Sequence, residues 1–192
     1  GDAYGAIIGS GDYRGMYAEG DDNYFAALFY SNVGIRIDGG GNCQGCTMAY
    51  TARNDGGEAI QPGDFVAAAG VEVDPDTNAP VMLVRKALSP DDAIIGVASG
   101  AMTRTPVEEF QGIMTGGYDP REGPAEAGDY LSVVVQGLVR ARVSQSATVE
   151  IGNSLTLAAD GVAATDVADL SVARALSAPD ESWLVWIMFN GR

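Results

Sequence analysis

The chain has no histidine. The commonest general base is therefore missing, and Ser–His–Asp and Cys–His catalysis are excluded within one chain. Haem attachment at its only two cysteines fails as well, because Thr47 stands where the axial histidine would follow the second Cys. Lysine is nearly absent: Lys86 is the single one, beside ten arginines. Against these 11 bases stand 26 acids, a formal charge of −15. A polyanion of this size is repelled by nucleic-acid phosphates and anionic lipid, so neither is expected as a partner. No apolar run approaches the roughly 18–20 residues a membrane-crossing helix needs. The chain starts at Gly1 with no signal peptide, which leads to the expectation of a processed or trimmed product whose export signal lies upstream.

The two cysteines, Cys43 and Cys46, lie in "GNCQGC". Structural zinc wants four soft or nitrogen ligands, and one chain supplies two. A redox dithiol sits at a helix N-terminus after a strand, whereas Cys43 is surrounded by glycines with no α/β pattern. A disulfide between Cys43 and Cys46 is the favoured reading; reduced buried thiols and bridges between chains are the variants. The loop such a bridge closes is tiny, so its entropic contribution is limited. Its role would be to lock a bend between two parts of the chain.

The first of those parts is residues 1–42. It breaks into "YGAIIGSGD", "YRGMYAEGDDN", "YFAALFYSN" and "VGIRIDGGGN", short apolar or aromatic runs that each end in turn residues. A repeat this short cannot close a core alone; it must stack on copies of itself or pack as a meander on the next domain. Tyr4, Tyr13, Tyr17, Tyr24, Phe25, Phe29 and Tyr30 crowd into this segment. They read as a packed seam between strands or subunits, with a glycan-stacking strip as the rival reading.

The second part, residues 43–192, reads as all-β. "GDFVAAAGVEVD" and "PVMLVRKAL" flank a "PDTN" hairpin turn; "AIIGVASGAM", "GDYLSVVVQGLVRARVS" and "SWLVWIMFN" are further strands, with a bulge or bend at Gly137. "EFQGIMTGGYDPREGPAEAG" is loop-like in its second half, and "ATDVADLSVARAL" is the best helical candidate. There is also an internal echo. "IQPGDFVAAAG" resembles "VEIGNSLTLAADG", aligning Gly63 with Gly152, and "VRKALSPDD" resembles "VARALSAPDE", aligning Ala87-Leu88-Ser89 with Ala175-Leu176-Ser177. The expected architecture is a duplicated β barrel or sandwich, with half-units of roughly 58–100 and 128–192, because neither half is long enough to bury a core well.

Chemistry-bearing patterns are few. Lys86 three residues before Ser89 is formally a Ser–Lys dyad, but the echo has Arg174 near the lysine's place and keeps Ser177, which points to a shared turn. The acid pairs Asp21–Asp22, Asp91–Asp92 and Glu108–Glu109 read as solvated turns. Asp74, Asp76 and Asn78 alternate as in a calcium loop but lack its central glycine and distal glutamate, so a plain hairpin is the preferred reading and calcium the one cofactor with any foothold. "GDDN" at 20–23 is a weaker cation candidate.

In its order of motifs, "GNCQGCTMAYTARNDGGEAIQPGDFVAAAGV", "AIIGVASGAM", "AGDYLSVVVQGLVRARV" and "SWLVWIM", the chain resembles the C-terminal region of uncharacterised exported bacterial surface and fibre proteins, which also look like the distal parts of phage tail fibres. Gly63, Asp64 and Val66 match that family's "GDxV" turn, and residues 128–137 its "GDYLSVVVQG" strand. The resemblance implies an extracellular or cell-surface, homo-oligomeric (trimeric or filamentous) structural subunit, not an enzyme, with copies of itself as partners; the alternative is an adhesive module binding a glycan or receptor at a fibre tip. Many tail-fibre relatives end in a self-cleaving domain with a serine–lysine centre, and no matching motif is present here.

Overall fold

The computed structural model describes residues 47–75, 80–105, 108–110, 113–115, 118–158, 161–165 and 171–190. All belong to the unit Cys43–Arg192. The cysteine pair and the seven early aromatics lie outside the described residues, as do Asp76 and Asn78.

The described residues form an all-β structure without helix, in chain order β1 (Met48–Asn54), β2 (Phe65–Val73), β3 (Pro80–Lys86), β4 (Ile94–Arg104), β5 (Glu108–Phe110), β6 (Ile113–Thr115), β7 (Tyr118–Arg121), β8 (Tyr130–Arg142), β9 (Ser154–Ala158), β10 (Gly161–Thr165), β11 (Ala173–Ala175) and β12 (Leu184–Phe189). Strands β5 and β6 pair with each other, and the other ten form one sheet. The described part of the helical candidate forms no helix: Ala164 and Thr165 lie in β10 and Ala173–Ala175 in β11, with Ser171, Val172 and Leu176 beside them outside any strand; its alanines and Thr165 fit a pleated, paired surface. The second half of the loop-like stretch contributes β7, which pairs with the end of β4; Pro120 is accommodated there at the sheet's edge, where a missing N–H is tolerated.

The pairings close on themselves. β1 pairs with β3 in parallel, β3 with β2, β2 with β4, β4 with β8, and β8 with β1, the last four antiparallel. Closure leaves these five strands with a shared interior, filled by Ala52, Val66, Val84, Leu131 and Val133 among others. The second half of β8 starts another circuit. It pairs with β12, β12 with β11, β11 with β9 and β9 with β10, and a single parallel bridge, Val143 to Val162, leads back. Its interior holds Ala141, Val143, Leu155, Val162, Val185 and Ile187.

The two circuits repeat each other. The parallel pair Asn54–Val84 answers to Val143–Val162, and the antiparallel pairs Ala52–Leu131 and Tyr50–Val133 answer to Ala141–Val185 and Val139–Ile187. Strand β8 therefore serves twice: its first half is the last strand of one ring and its second half the first strand of the next. Gly137, with φ +114, stands at the handover, so the expected bend marks a change of partner. The rings do not follow the half-units read from the sequence, since the first takes in β1 and half of β8. Nor do the two Ala-Leu-Ser triplets correspond. Ala87 donates its N–H to Phe65 O on the hairpin side of β2, whereas Ala175 donates to Asn153 O on the other side of β9, away from β10.

One turn recurs before three strands. In Gln61–Asp64, Glu126–Asp129 and Glu150–Asn153 the fourth residue's N–H donates to the first residue's carbonyl, at 3.0, 3.0 and 3.1 Å. The first residue's N–H donates in return to the Asp or Asn side chain, at 2.9, 3.0 and 2.7 Å. The third residue, Gly63, Gly128 or Gly152, has φ of +91, +87 or +90, as a type II turn demands.

Candidate functional site

Two buried carboxylates dominate the described polar interior, and each meets structural partners. Asp64, 3% exposed, lies on the first of the recurring turns. Its Oδ2 is 3.2 Å from Lys86 Nζ and its Oδ1 is 3.4 Å from Arg142 Nε, across from the second half of β8. Arg142 also donates from Nη2 to Pro62 O and from its backbone N–H to Gly63 O. The turn of one ring is thus clamped to the strand that opens the other. A Cβ at Gly63 would fall 2.7 Å from Leu184 Cδ2 and 2.9 Å from Arg142 N, so the fit admits no side chain there.

The same geometry answers the Ser–Lys question. The ammonium of Lys86 faces Asp64, and the Ser89 hydroxyl accepts from Asp91 N. Ser177 donates to Ala178 O and accepts from Trp186 N. Both serines shape turns. Asp92 closes the loop after β3: its Oδ2 accepts from the backbone N–H groups of Leu88 and Ser89, and Arg85 bonds its Oδ1. The Arg85 hydrogen bond is the largest cause, with Leu88 N–H next, that holds the Asp92 carboxyl down to about 2.

Asp74, 1% exposed, accepts from Arg104 Nη2 at 2.7 Å and from the Tyr118 hydroxyl at 3.2 Å. Its oxygens are thus engaged within the protein, where the sequence offered them to a cation. Among the described residues no group of three or more Asp, Glu, Cys or His side chains is placed to hold a metal ion. Tyr118 stacks at a tilt on Tyr130, centroids 4.8 Å apart. Burial first, then the neighbouring Tyr130 and Asp74, push its phenol up to about 12. A raised folded value means the neutral phenol supports the fold fully below the ordinary value near 10, and that support is lost as pH rises through about 12. Tyr118→Phe is accordingly expected to cost about 1.5 kcal/mol at neutral pH, at the low end for a half-buried bond to a charged acceptor. Its deficit against wild type should narrow between pH 10 and 12. Denaturant unfolding at a series of alkaline pH values reads this out, and a deficit constant with pH would refute it.

The described surface feature that sequence reading passed over is a groove of about 420 Å³ where the rings meet. Its walls include Thr47 at the head of β1, Pro62 and Gly63 of the turn, Leu138 and Arg140 of β8, and Leu184 and Trp186 of β12. Leu138 and Trp186 are 45% and 47% exposed. The Arg140 guanidinium lies 6.0 Å from the Trp186 ring centre and pairs with Asp180. The other tryptophan, Trp183, is exposed too and has φ +57, the one positive φ outside glycine among the described residues. The available signal was the pair of tryptophans in "SWLVWIM": alternation along a strand that buries Val185, Ile187 and Phe189 turns Trp186 and Met188 outward.

No family model and no curated protein matches the chain. Solved structures similar to it include two from bacteriophage phi29. One is the head fiber gp8.5 N base of bacteriophage phi29, at 12% identity over 76% of this chain and 95% of that one, with a TM-score of 0.42. The other is a C-terminal fragment of the bacteriophage phi29 gene product 12, at 18% identity over 74% of this chain and 98% of that one, with a TM-score of 0.37. Neither likeness is close enough to assign the chain to a family.

Proposed function

We propose that the chain is a non-enzymatic structural subunit of an extracellular homo-oligomeric assembly, a fibre, filament or trimeric appendage, in which residues 1–42 supply the contacts between subunits. The observation that carries this reading is where the buried ionisable groups point. Asp64 faces Lys86 and Arg142, and Asp74 faces Arg104 and Tyr118, so among the described residues these groups tie separate parts of the sheet together. Such a body is a scaffold whose stability is built in, and the aromatic, turn-punctuated segment before it has the composition to pair with copies of itself. The disulfide between Cys43 and Cys46 belongs to this reading as a clip at the joint.

Light scattering after size exclusion tests it. The full chain is expected to run as a trimer or larger species, and removal of residues 1–42 is expected to leave a folded β body of lower order. A full-length monomer, indifferent to that deletion, would overturn the reading. The rival, a glycan-binding or receptor-binding module, draws on the exposed Trp183 and Trp186.

A further inference from the structure

We infer that the groove where the two rings meet, with Trp186 and Leu138 in its walls, is where a second copy of this chain seats; the inference rests on the assembly reading and names the surface of the folded body that takes part. The first argument is charge. Each copy carries −15, so two copies repel wherever uncompensated acids meet. Among the residues that wall the groove the only charged side chain is Arg140, and its charge is met by Asp180. A second hollow, of about 250 Å³ at the far end of β12, has no charged wall residue at all, and Met188 and Phe189 line it. The walls of the two hollows beside β12 therefore include no acid on a chain with 26, and the nearby Asp180 is paired with Arg140, the kind of face on which two like-charged bodies can approach.

The second argument is apolar exposure. Leu138 pairs across the ladder with Met188, and Arg140 with Trp186, so these four share one outer face. Leu138, Trp186 and Met188 are each more than 40% exposed. A large aromatic flanked by aliphatic side chains and an arginine is the composition of an interface centre. Thr47 also lines the groove, and its hydroxyl donates to Leu138 O, which holds the head of β1 against the groove's wall.

The experiment uses the full chain and two variants, Trp186→Arg and Trp183→Phe. With only two tryptophans in the chain, Trp183→Phe leaves Trp186 as the sole indole reporter. Sedimentation velocity over a concentration series is expected to show association that tightens as NaCl screens the like charges. Trp186→Arg should weaken it by about tenfold or more, the effect of losing a central aromatic anchor. In the Trp183→Phe chain, emission should shift to shorter wavelength and acrylamide quenching should fall as the subunits associate. If Trp186→Arg does not fold, the fluorescence of the Trp183→Phe chain decides alone. An oligomer in which Trp186 stays as quenchable as in the dilute chain would overturn this inference and leave the assembly reading standing. A chain monomeric at every concentration would overturn both. A monomer whose Trp186 emission responds to a soluble N-acetylglucosamine oligomer would replace them with the glycan reading.

Discussion

Replacing Asp64 by alanine is expected to cost the fold about 3 kcal/mol, the lower end of the range for breaking a buried ion pair by removing one partner. The lower end applies because the two cations are not sealed in. The side chains of Lys86 and Arg142 are 22% and 32% exposed while that of Asp64 is 1%, so the orphaned charges can reach water by small rotations. The alanine also abandons Gln61 N–H, which Asp64 Oδ2 accepts at 2.9 Å. Asp64→Asn separates the two losses. The third copy of the turn uses asparagine already: Asn153 Oδ1 accepts from Glu150 N–H at 2.7 Å. An asparagine at 64 therefore keeps the turn and loses only the charge, for an expected cost of about 1–2 kcal/mol. Urea unfolding of both variants measures the pair. If alanine and asparagine cost the same, the turn bond contributes nothing; if alanine costs under about 1 kcal/mol, the carboxylate is effectively solvated and the clamp between the rings is not one.

How far such groups could be read in advance depended on whether their signal was local. Strands β2, β3, β4 and β12 were legible because alternation, β-branching and turn residues mark them within a few positions. The glycine of the recurring turn was legible twice, at Gly63 and Gly152, since only a residue without Cβ takes φ near +90 at no cost. The third copy, at Gly128, opens the "GDYLSVVVQG" strand and lies outside the internal echo that aligns the other two. Strand β1, "MAYTARN", was not legible, because its alanines, Asn54 and Arg53 have weak strand propensity; its partners β3 and β8 hold it in place. The circuits themselves were beyond sequence reading. The echo of Ala87-Leu88-Ser89 in Ala175-Leu176-Ser177 is real as letters, yet the triplets lie on opposite sides of matching strands, since pairing is decided by neighbours far along the chain. The partners of Asp64 and Asp74 are equally non-local: Arg142 comes from β8, and Tyr118 from a strand that the proline at 120 disguised.

The second large effect concerns whether the two rings unfold as one. Phe65→Ala is expected to destabilise the whole described body by about 3–5 kcal/mol, as for a buried aromatic truncated to alanine. Phe65 belongs by sequence and pairing to the first ring, where its neighbour Val66 faces the interior. Its own side chain, 3% exposed, points the other way, and it packs with Ala67, Val97 and Val134 into the core cluster that holds Leu155, Val185 and Ile187 of the second ring. Its ring meets Phe189 of β12 edge-on, centroids 6.1 Å apart and planes at 69°, an arrangement in which one ring's positive edge faces the other's negative face. Removing Phe65 therefore opens a cavity between the rings rather than inside one. Because β8 runs through both, neither ring can unfold without surrendering a strand of the other. The expected result is a single denaturation transition whose midpoint moves to lower denaturant with an unchanged slope, and a double-mutant cycle with Phe189→Ala that returns a coupling of about 0.5–1.5 kcal/mol. Two separate transitions in the wild type, or a variant that lowers only one of them, would show that the rings are independent bodies joined by a shared strand and not a single cooperative unit.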